Sequence, residues 1–183
     1  MSVELLEKVT FALDNNSIPY LVIGGQAVLV HGMARLTDDI DIIINAGLND
    51  LEKVKKICAD LKLVYLNDDI DNFVRKHMVI PVYDNESRFR VDIIFAFSEF
   101  ELNAIKRGNS IKVKDRKVKF AGLEDLVVFK VYAGRTVDIS DVKNILLMNK
   151  NYDRAYIIKW LKKFDEDPAF KLIDRFLEIE KDL

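Results

Sequence analysis

Residues 23–44 read IGGQAVLVHGMARLTDDIDIII, and the predicted fold is built around this segment. The short apolar run YLVI, residues 20–23, leads into it and predicts a buried strand. Gly24 and Gly25 end that strand, and a short apolar helix follows them. The β-branched segment 40–45 predicts a second buried strand. Strand, glycine turn, helix and strand therefore follow one another closely.

Two carboxylates stand at the start of the second strand. Side chains of a strand alternate between its faces, so Asp39 and Asp41 point the same way, with Cα atoms roughly 6.5–7 Å apart. Asp38 points to the other face. Two carboxylates at the edge of a buried strand repel each other unless a cation lies between them. Oxygen ligands suit a hard divalent cation, so this is a candidate metal site.

A second acidic cluster, NDDIDN at residues 67–72, repeats the same tetrapeptide. Asp69 and Asp71 are again two residues apart, but no long apolar run follows them. An EF-hand loop requires Gly at its sixth position and Glu at its twelfth, and neither register of this segment supplies them. We therefore expect a solvated loop here.

The first cluster also lies downstream of a potential phosphate site. Backbone amides at a helix N-terminus attract phosphate, and Gly24 and Gly25 allow it to approach closely. A third acid, Asp92, lies inside the apolar segment RFRVDIIFA, residues 88–96. Neighbouring strands are about 4.8 Å apart, so Asp92 could complete the site if its strand lies beside the first acids.

Ile23-Gly24-Gly25, a gap of thirteen residues and Asp39-Ile40-Asp41-Ile42 resemble the signature of the DNA polymerase β-like nucleotidyltransferases. The resemblance implies that Asp39, Asp41 and Asp92 are catalytic and bind two Mg²⁺ ions, which Mn²⁺ could replace. It further implies that a nucleoside triphosphate such as ATP is bound. The nucleotide-binding residues would be Gly24, Gly25, Arg35, Thr37 and Lys130.

Residues 124–142, EDLVVFKVYAGRTVDISDV, are similar to a pattern of small bacterial nucleotidyltransferases in toxin–antitoxin and abortive-infection systems. In these relatives the lysine that matches Lys130 contacts the triphosphate. Asp138 and Asp141 belong to the same pattern, with a less settled role. Without the resemblance, Lys130 would be interpreted as a surface lysine whose stem lies along an apolar helix. Both interpretations stay open.

Strands are predicted in the first two thirds of the chain, and helices fill the last third. The sequence therefore predicts an α+β (α/β) fold, with a mixed sheet flanked by helices and a helical C-terminal region. We expect a nucleotidyltransferase core at 1–121 and a helical region at 122–183. The predicted helices cover 2–15, 48–62, 98–106, 122–133, 138–148, 153–163 and 168–181, and the predicted strands 76–83, 89–96 and a hairpin over 109–120.

The 183-residue chain carries 28 basic and 30 acidic residues, so its formal net charge is −2 and does not indicate a nucleic-acid binder. The one cysteine, Cys58, is expected to be a small core residue. We find neither a signal peptide nor an apolar run of about 20 residues, so we expect a cytoplasmic protein without a membrane partner.

We expect the transfer of a nucleoside monophosphate to an acceptor hydroxyl, with release of pyrophosphate. The alternative is a non-catalytic module that binds or regulates a cognate partner protein. The basic segment 106–119 is either a solvated hairpin face or a docking strip for an RNA or protein acceptor. Its basic residues are Lys106, Arg107, Lys112, Lys114, Arg116, Lys117 and Lys119.

Overall fold

The computed structural model describes residues 2–33 and 37–183. The chain folds into two compact units. The first unit comprises Met1–Gln26 and Leu36–Ala121, and the second comprises Ala27–Arg35 and Gly122–Leu183. The predicted fold class, an α+β fold with a mixed sheet and a helical C-terminal region, is confirmed.

The first unit contains a seven-stranded sheet with the order β3-β4-β5-β2-β1-β7-β6. Two pairs of neighbours, β2 with β5 and β1 with β7, are parallel, and the other pairs are antiparallel. The strands are β1 Tyr20–Val22, β2 Asp39–Ile44, β3 Val64–Tyr65, β4 Val79–Tyr83, β5 Arg90–Phe95, β6 Asn109–Val113 and β7 Arg116–Phe120.

The strand registers define two faces of the sheet. Residues that are directly opposite on neighbouring strands share a face, and successive residues of one strand alternate. We call the face that carries Asp39, Asp41 and Asp92 the acid face. On the opposite face, Ile40, Ile42 and their neighbours are fully buried. This apolar layer fixes the register of β2, because a slip by one residue would expose its isoleucines.

Helices of the first unit are α1 Ser2–Asn15, α3 Leu51–Asp60, α4 Ile70–His77 and α5 Glu99–Arg107. A 3₁₀ turn, Leu48–Asp50, precedes α3. Another helix, α2 Gly24–Val30, begins in this unit and ends in the second.

Helix α5 begins with a capping box in which Ser98 and Glu101 exchange side-chain-to-backbone hydrogen bonds. It ends beside the acid face, where the Leu21 side chain lies so close to Gly108 that a Cβ atom there would be 2.5 Å from Leu21 Cδ1.

The second unit consists mainly of α6 Leu123–Ala133, α7 Thr136–Met148, α8 Arg154–Phe164 and α9 Leu172–Lys181. Gly134 ends α6 in the left-handed conformation, with φ of 64°. The Arg175 side chain of α9 reaches this turn, and its Nη1 donates to the Val131 carbonyl at 2.6 Å. The fully buried residues Leu126, Val128, Ile145, Leu161 and Phe176 form the apolar core.

Two local predictions were wrong. Residues 67–72 do not form only a solvated loop, because Asp69 caps the N-terminus of α4 by accepting a hydrogen bond from the Asn72 amide. In the same helix, Asp71 pairs with Lys55 at 2.8 Å. The strand predicted over 76–83 begins later, at Val79, because α4 continues to His77 and Met78 takes the left-handed conformation.

The last helix begins later than its sequence predicted. Pro168 was expected to mark its start, but α9 begins at Leu172. The Asp165 carboxylate accepts hydrogen bonds from the amides of Leu172 at 2.7 Å and Ile173 at 2.9 Å. The amides in the first turn of α9 have no acceptor within the helix, and a carboxylate seven residues upstream of Leu172 accepts their hydrogen bonds.

Two further findings concern the apolar character of the helices and the thiol of Cys58. Along residues 2–33 and 37–183, no helix has the length and apolar character needed to cross a membrane. Cys58 is fully buried, and this burial raises the pKa of its thiol to about 12. The prediction that Cys58 is a core residue is therefore confirmed. A thiol with so high a pKa is protonated and unreactive at neutral pH.

Candidate functional site

Strand β2 positions the first two carboxylates. Asp39 and Asp41 are half-buried at the start of the strand, whereas Ile40 and Ile42 between and after them are fully buried on the opposite face. The strand places the acids where the apolar core ends and the acid face opens. Their shared face follows from strand alternation alone.

The third carboxylate lies on the neighbouring strand. β2 and β5 are parallel, and their register makes Asp41 and Asp92 Cα partners. The same register pairs Asp39 with Arg90. The structure therefore brings Asp39, Asp41 and Asp92 together on one face, as expected when Asp92 was assigned to an adjacent strand.

Arg90 is a member of this cluster that the sequence did not single out. Its Nε donates to Asp92 Oδ1 at 2.8 Å. This hydrogen bond raises the pKa of Arg90; burial opposes the rise, and the negative charges of Asp92, Asp41 and Asp39 add to it. Arg90 and Asp92 are two residues apart on one strand, so alternation would have placed them on the same face.

Gly24 is required by both conformation and space. Its φ is +63°, a backbone conformation that residues other than glycine rarely adopt. A Cβ atom on Gly24 would overlap the carboxylate of Asp41. The neighbouring Gly25 is tightly enclosed as well, since a Cβ atom there would lie 2.7 Å from Cβ of Thr37. The glycine pair therefore lets the start of α2 approach the acids.

Thr37 and Gln26 hold the first acid. The Thr37 hydroxyl donates a short hydrogen bond to the Asp39 carboxylate, and Gln26 Nε2 donates to the Asp39 carbonyl at 3.5 Å. Thr37 was predicted to bind nucleotide, and the contact it makes here is with Asp39. Arg35, another predicted nucleotide ligand, lies outside the described residues.

The donor set fits a hard divalent cation in chemistry, since three carboxylates from two adjacent strands converge on one face. As the side chains stand in the described parts of the chain, no three or more Asp, Glu, His or Cys residues form a ready metal cage. Asp92 is turned toward Arg90, and its side chain is 18% exposed. A metal ion bound by all three acids would therefore compete with the guanidinium of Arg90 for the Asp92 carboxylate.

Lys130 belongs to the second unit and is buried there, with a side chain that is 4% exposed. Its Nζ lies 2.8 Å from carboxylate oxygens of both Asp138 and Asp141. Lys130 is therefore not a surface lysine with a solvated head. Its contact with phosphate stays a prediction.

Asp138 is also bound by Arg135, whose Nε donates to Asp138 Oδ2 at 2.6 Å. Burial acts to raise the pKa of Asp138, but the hydrogen bonds from Arg135 and Lys130 outweigh it and lower the pKa. Lys130, Asp138, Asp141 and Arg135 thus form an ionic cluster that joins α6 to α7, and we call it the α6–α7 cluster.

Most of the chain matches one known family. Residues 3–161 fit the sequence profile of a family described as "Nucleotidyltransferase of unknown function (DUF6036)". A curated protein of Malacoplasma penetrans (strain HF-2), named 1-deoxy-D-xylulose 5-phosphate reductoisomerase, is 25% identical over 153 residues. That match covers 75% of this chain and 38% of the relative, so the chain spans well under half of the relative's length.

Solved structures share the fold. The antibiotic-resistance factor ANT(2'')-Ia superimposes with a TM-score of 0.64 at 14% identity, covering 90% of this chain and 94% of that one. The lincomycin-bound lincosamide antibiotic adenylyltransferase LnuA gives 0.53 at 18% identity, covering 75% and 91%. An antigenic nucleotidyltransferase-like protein from Paracoccidioides brasiliensis gives 0.56 at 14%, covering 91% and 88%. At these identities the likeness establishes the fold alone.

Proposed function

Because the chain belongs to the family of nucleotidyltransferases of unknown function DUF6036, we propose that it transfers a nucleoside monophosphate from a nucleoside triphosphate to an acceptor hydroxyl. The observation that carries the proposal is the register of β2 and β5, which makes Asp41 and Asp92 direct partners on the face that also holds Asp39. Three carboxylates in this arrangement supply oxygen ligands to divalent ions.

In the proposed reaction the acceptor oxygen attacks the α-phosphorus of the triphosphate. A bond forms between these atoms, the bond from the α-phosphorus to the bridging oxygen of the β-phosphate breaks, and pyrophosphate leaves. The acceptor proton passes to Asp92 or to water. Two Mg²⁺ ions held by Asp39, Asp41 and Asp92 would lower the pKa of the attacking hydroxyl and stabilise the leaving pyrophosphate.

The remaining residues act by position. Gly24 and Gly25 begin α2, where the amides of an α-helix have no acceptor within the helix, and we propose that these amides bind phosphate oxygens. Thr37 orients Asp39 through its hydrogen bond. Arg90 offsets the charge of the three acids before an ion and a substrate arrive. Arg35 and Lys130 remain proposed phosphate ligands from the sequence resemblance.

Transfer of label tests the proposal. The protein is incubated with α-labelled triphosphates, Mg²⁺ or Mn²⁺, and candidate acceptors that include RNA and protein. We expect labelled acceptor with the wild-type protein and a loss of about 10²–10³-fold with Asp41→Asn, the range found when one group that stabilises a transition state is removed. Transfer that persists in Asp41→Asn would contradict the proposed role of the acids.

One observation favours a second candidate, the non-catalytic binding or regulatory module. Asp92 has Arg90 as its partner, and a guanidinium held there permanently would occupy the position that a metal ion needs. Calorimetry with Mg²⁺ and a non-hydrolysable triphosphate separates the two candidates. Binding of both ligands supports the enzyme, and the absence of both supports the module.

The resemblance of residues 124–142 supports a place in a toxin–antitoxin pair, in a cytoplasmic setting where triphosphates are abundant. This part of the proposal predicts a neighbouring gene whose product binds the chain. Growth of cells that express the chain with and without that product is the measurement. Equal growth in both cases would contradict the proposed toxin–antitoxin pair but would not bear on the proposed nucleotidyl transfer.

A further inference from the structure

The β6–β7 hairpin carries lysines on the acid face. Val22 and Phe120 are Cα partners, and Val22 faces away from the acids, so Phe120 does as well. Alternation then places Lys117 and Lys119 on the acid face. The hairpin register makes Lys112 the partner of Lys117, which adds a third lysine to that face. We call Lys112, Lys117 and Lys119 the lysine strip.

The lysine strip is open and its charge is not neutralised. All three side chains are exposed, and along the described ranges none forms an ion pair with an acid. Two other basic residues of the hairpin differ. Lys114 in the turn pairs with Glu4, and Arg116 on the opposite face pairs with Asp14. Helix α1 thus supplies counter-charges to these two residues.

The strip includes an unfavourable contact. Lys112 and Lys117 are directly opposite each other across the strands, and like charges in that position destabilise a hairpin. A row of unpaired cations held on an open sheet is complementary to a polyanion that lies along it. Successive phosphates of a nucleic-acid strand have this form.

The strip lies within reach of the acids in the same unit. Ile23 lies opposite Asp41 in the sheet. Lys119 lies two strands away from Asp41 and is displaced by two residues along the strand direction, so the Cα atoms of Asp41 and Lys119 are roughly 12 Å apart. Between them α5 ends at Arg107, beside Leu21 of β1, and Lys106 in its last turn is exposed. A single strand bound at Lys119 that passes the end of α5 would span this distance in about two to four nucleotides, since a stacked strand advances ~3.4 Å per nucleotide and an extended one about twice as far.

We propose that the lysine strip binds the phosphate backbone of a single-stranded RNA and delivers a hydroxyl of that RNA to Asp39, Asp41 and Asp92. This inference rests on the proposed function for its chemistry and on the hairpin for its binding. RNA is the assigned polyanion because every internal nucleotide carries a 2′-hydroxyl, so an acceptor group is available in any register along the strip.

Fluorescence anisotropy with a labelled single-stranded RNA of ~12 nucleotides, within the range that such surfaces bind, tests the strip. The triple variant Lys112→Gln, Lys117→Gln, Lys119→Gln is compared with the wild-type protein over a range of salt concentrations. We expect affinity to fall at least about tenfold. The slope of log affinity against log salt should become shallower by about 2, since each lost phosphate contact removes ~0.7 for a single strand.

The matched control replaces three exposed lysines elsewhere, as Lys76→Gln, Lys150→Gln, Lys171→Gln. It removes the same charge and should keep the wild-type affinity and slope. Equal losses in the two triple variants would overturn the proposal, as would a wild-type protein that binds no RNA. Tighter binding of polyglutamate, or of DNA of the same sequence, would assign the strip to an acidic protein or to DNA instead.

The binding test contains neither triphosphate nor Mg²⁺, so it is independent of the proposed transfer reaction. If RNA binds through the lysine strip but no nucleotide is transferred, the proposed transfer reaction is contradicted and the proposed RNA site is supported. If nucleotide is transferred to another acceptor and the triple lysine variant binds RNA like the wild-type protein, the proposed RNA site is contradicted and the transfer reaction is supported.

Discussion

Asp41 and Asp92 are Cα partners in the parallel register of β2 and β5. Two carboxylates from segments far apart in the sequence thus lie side by side, with Asp39 on the same face. Like charges placed so close repel each other, and a neighbouring cation reduces that repulsion. In this structure the cation beside Asp92 is the guanidinium of Arg90.

Arg90→Gln should expose the competition between this guanidinium and a metal ion. The substitution removes the cation that binds Asp92, so we expect Mn²⁺ to bind several-fold more tightly in calorimetry. The metal-free protein should lose no more than about 1 kcal/mol of stability, because the Arg90 side chain in this ion pair is 51% exposed and solvent weakens such pairs. Weaker Mn²⁺ binding in Arg90→Gln would show that Arg90 supports the ion site and does not compete with it.

Gly24→Ala should destabilise the protein and impair ligand binding together. A left-handed φ costs a non-glycine residue about 1–2 kcal/mol, and the added methyl group would overlap the Asp41 carboxylate. We expect a loss of about 2 kcal/mol or more in urea denaturation. Gly47→Ala is the control, because its φ is −94° and its nearest neighbour to a new Cβ is 4.0 Å away. Equal stability of the two variants would contradict the close approach at Gly24.

Lys130→Met should destabilise the second unit by ~3–5 kcal/mol, because it leaves the carboxylates of Asp138 and Asp141 buried with a partner removed. The triple variant Lys130→Met, Asp138→Asn, Asp141→Asn should recover part of this loss. Urea denaturation is the measurement. A single variant as stable as the wild-type protein would contradict a structural role for the α6–α7 cluster.

The same cluster predicts a pH dependence. The pKa of Asp138 is lowered in the folded protein, so its ionised form contributes stability above the unfolded-state pKa of about 3.9. That contribution is lost as pH falls through the lower folded-state pKa. The stability difference between wild type and Asp138→Asn should therefore narrow below pH ~4. A constant difference across this range would contradict the ionised state of Asp138.

Lys117→Glu should stabilise the hairpin. It converts the like-charged pair Lys112–Lys117 into an opposite-charged pair, and cross-strand pairs are worth roughly 0.2–1 kcal/mol. Thermal denaturation at low salt should show a higher midpoint than wild type. Lys119→Glu is the control, because its partner across the strands is the uncharged Ser110. A destabilised Lys117→Glu would mean that Lys117 has a favourable role in the free protein.

The sequence predicted those parts of the fold in which one local pattern dominates. The apolar run after Asp41 predicted β2, and the apolar residues on both sides of Asp92 predicted β5, so we expected the three acids to lie close together. Helix α4 was missed because only Ile70 and Val74 of its eight residues are buried. Its start depends on the side-chain cap of Asp69, which a sequence of polar residues does not distinguish from a loop.

Side-chain contacts between different helices could not be predicted from the sequence. Lys130 reaches Asp138 and Asp141 across the turn between two helices, so its burial depends on how those helices pack. The start of α9 depends on Asp165, seven residues before the first amide that it binds. Arg90 could have been found, since it shares a face with Asp92 by strand alternation. The proposed ligands Gly24, Gly25, Thr37 and Lys130 stay predictions as to nucleotide contact.

The joint metal site of Asp41 and Asp92 is tested by Mn²⁺ binding to Asp41→Asn, to Asp92→Asn and to the double variant, because the proposal requires both carboxylates to bind one ion. Calorimetry on the wild-type protein and these variants gives a double-mutant cycle. We predict that each single variant loses nearly as much affinity as the double variant, since either change breaks the shared site. An Asp92→Asn variant that binds Mn²⁺ like the wild-type protein would contradict a site formed jointly by the two strands.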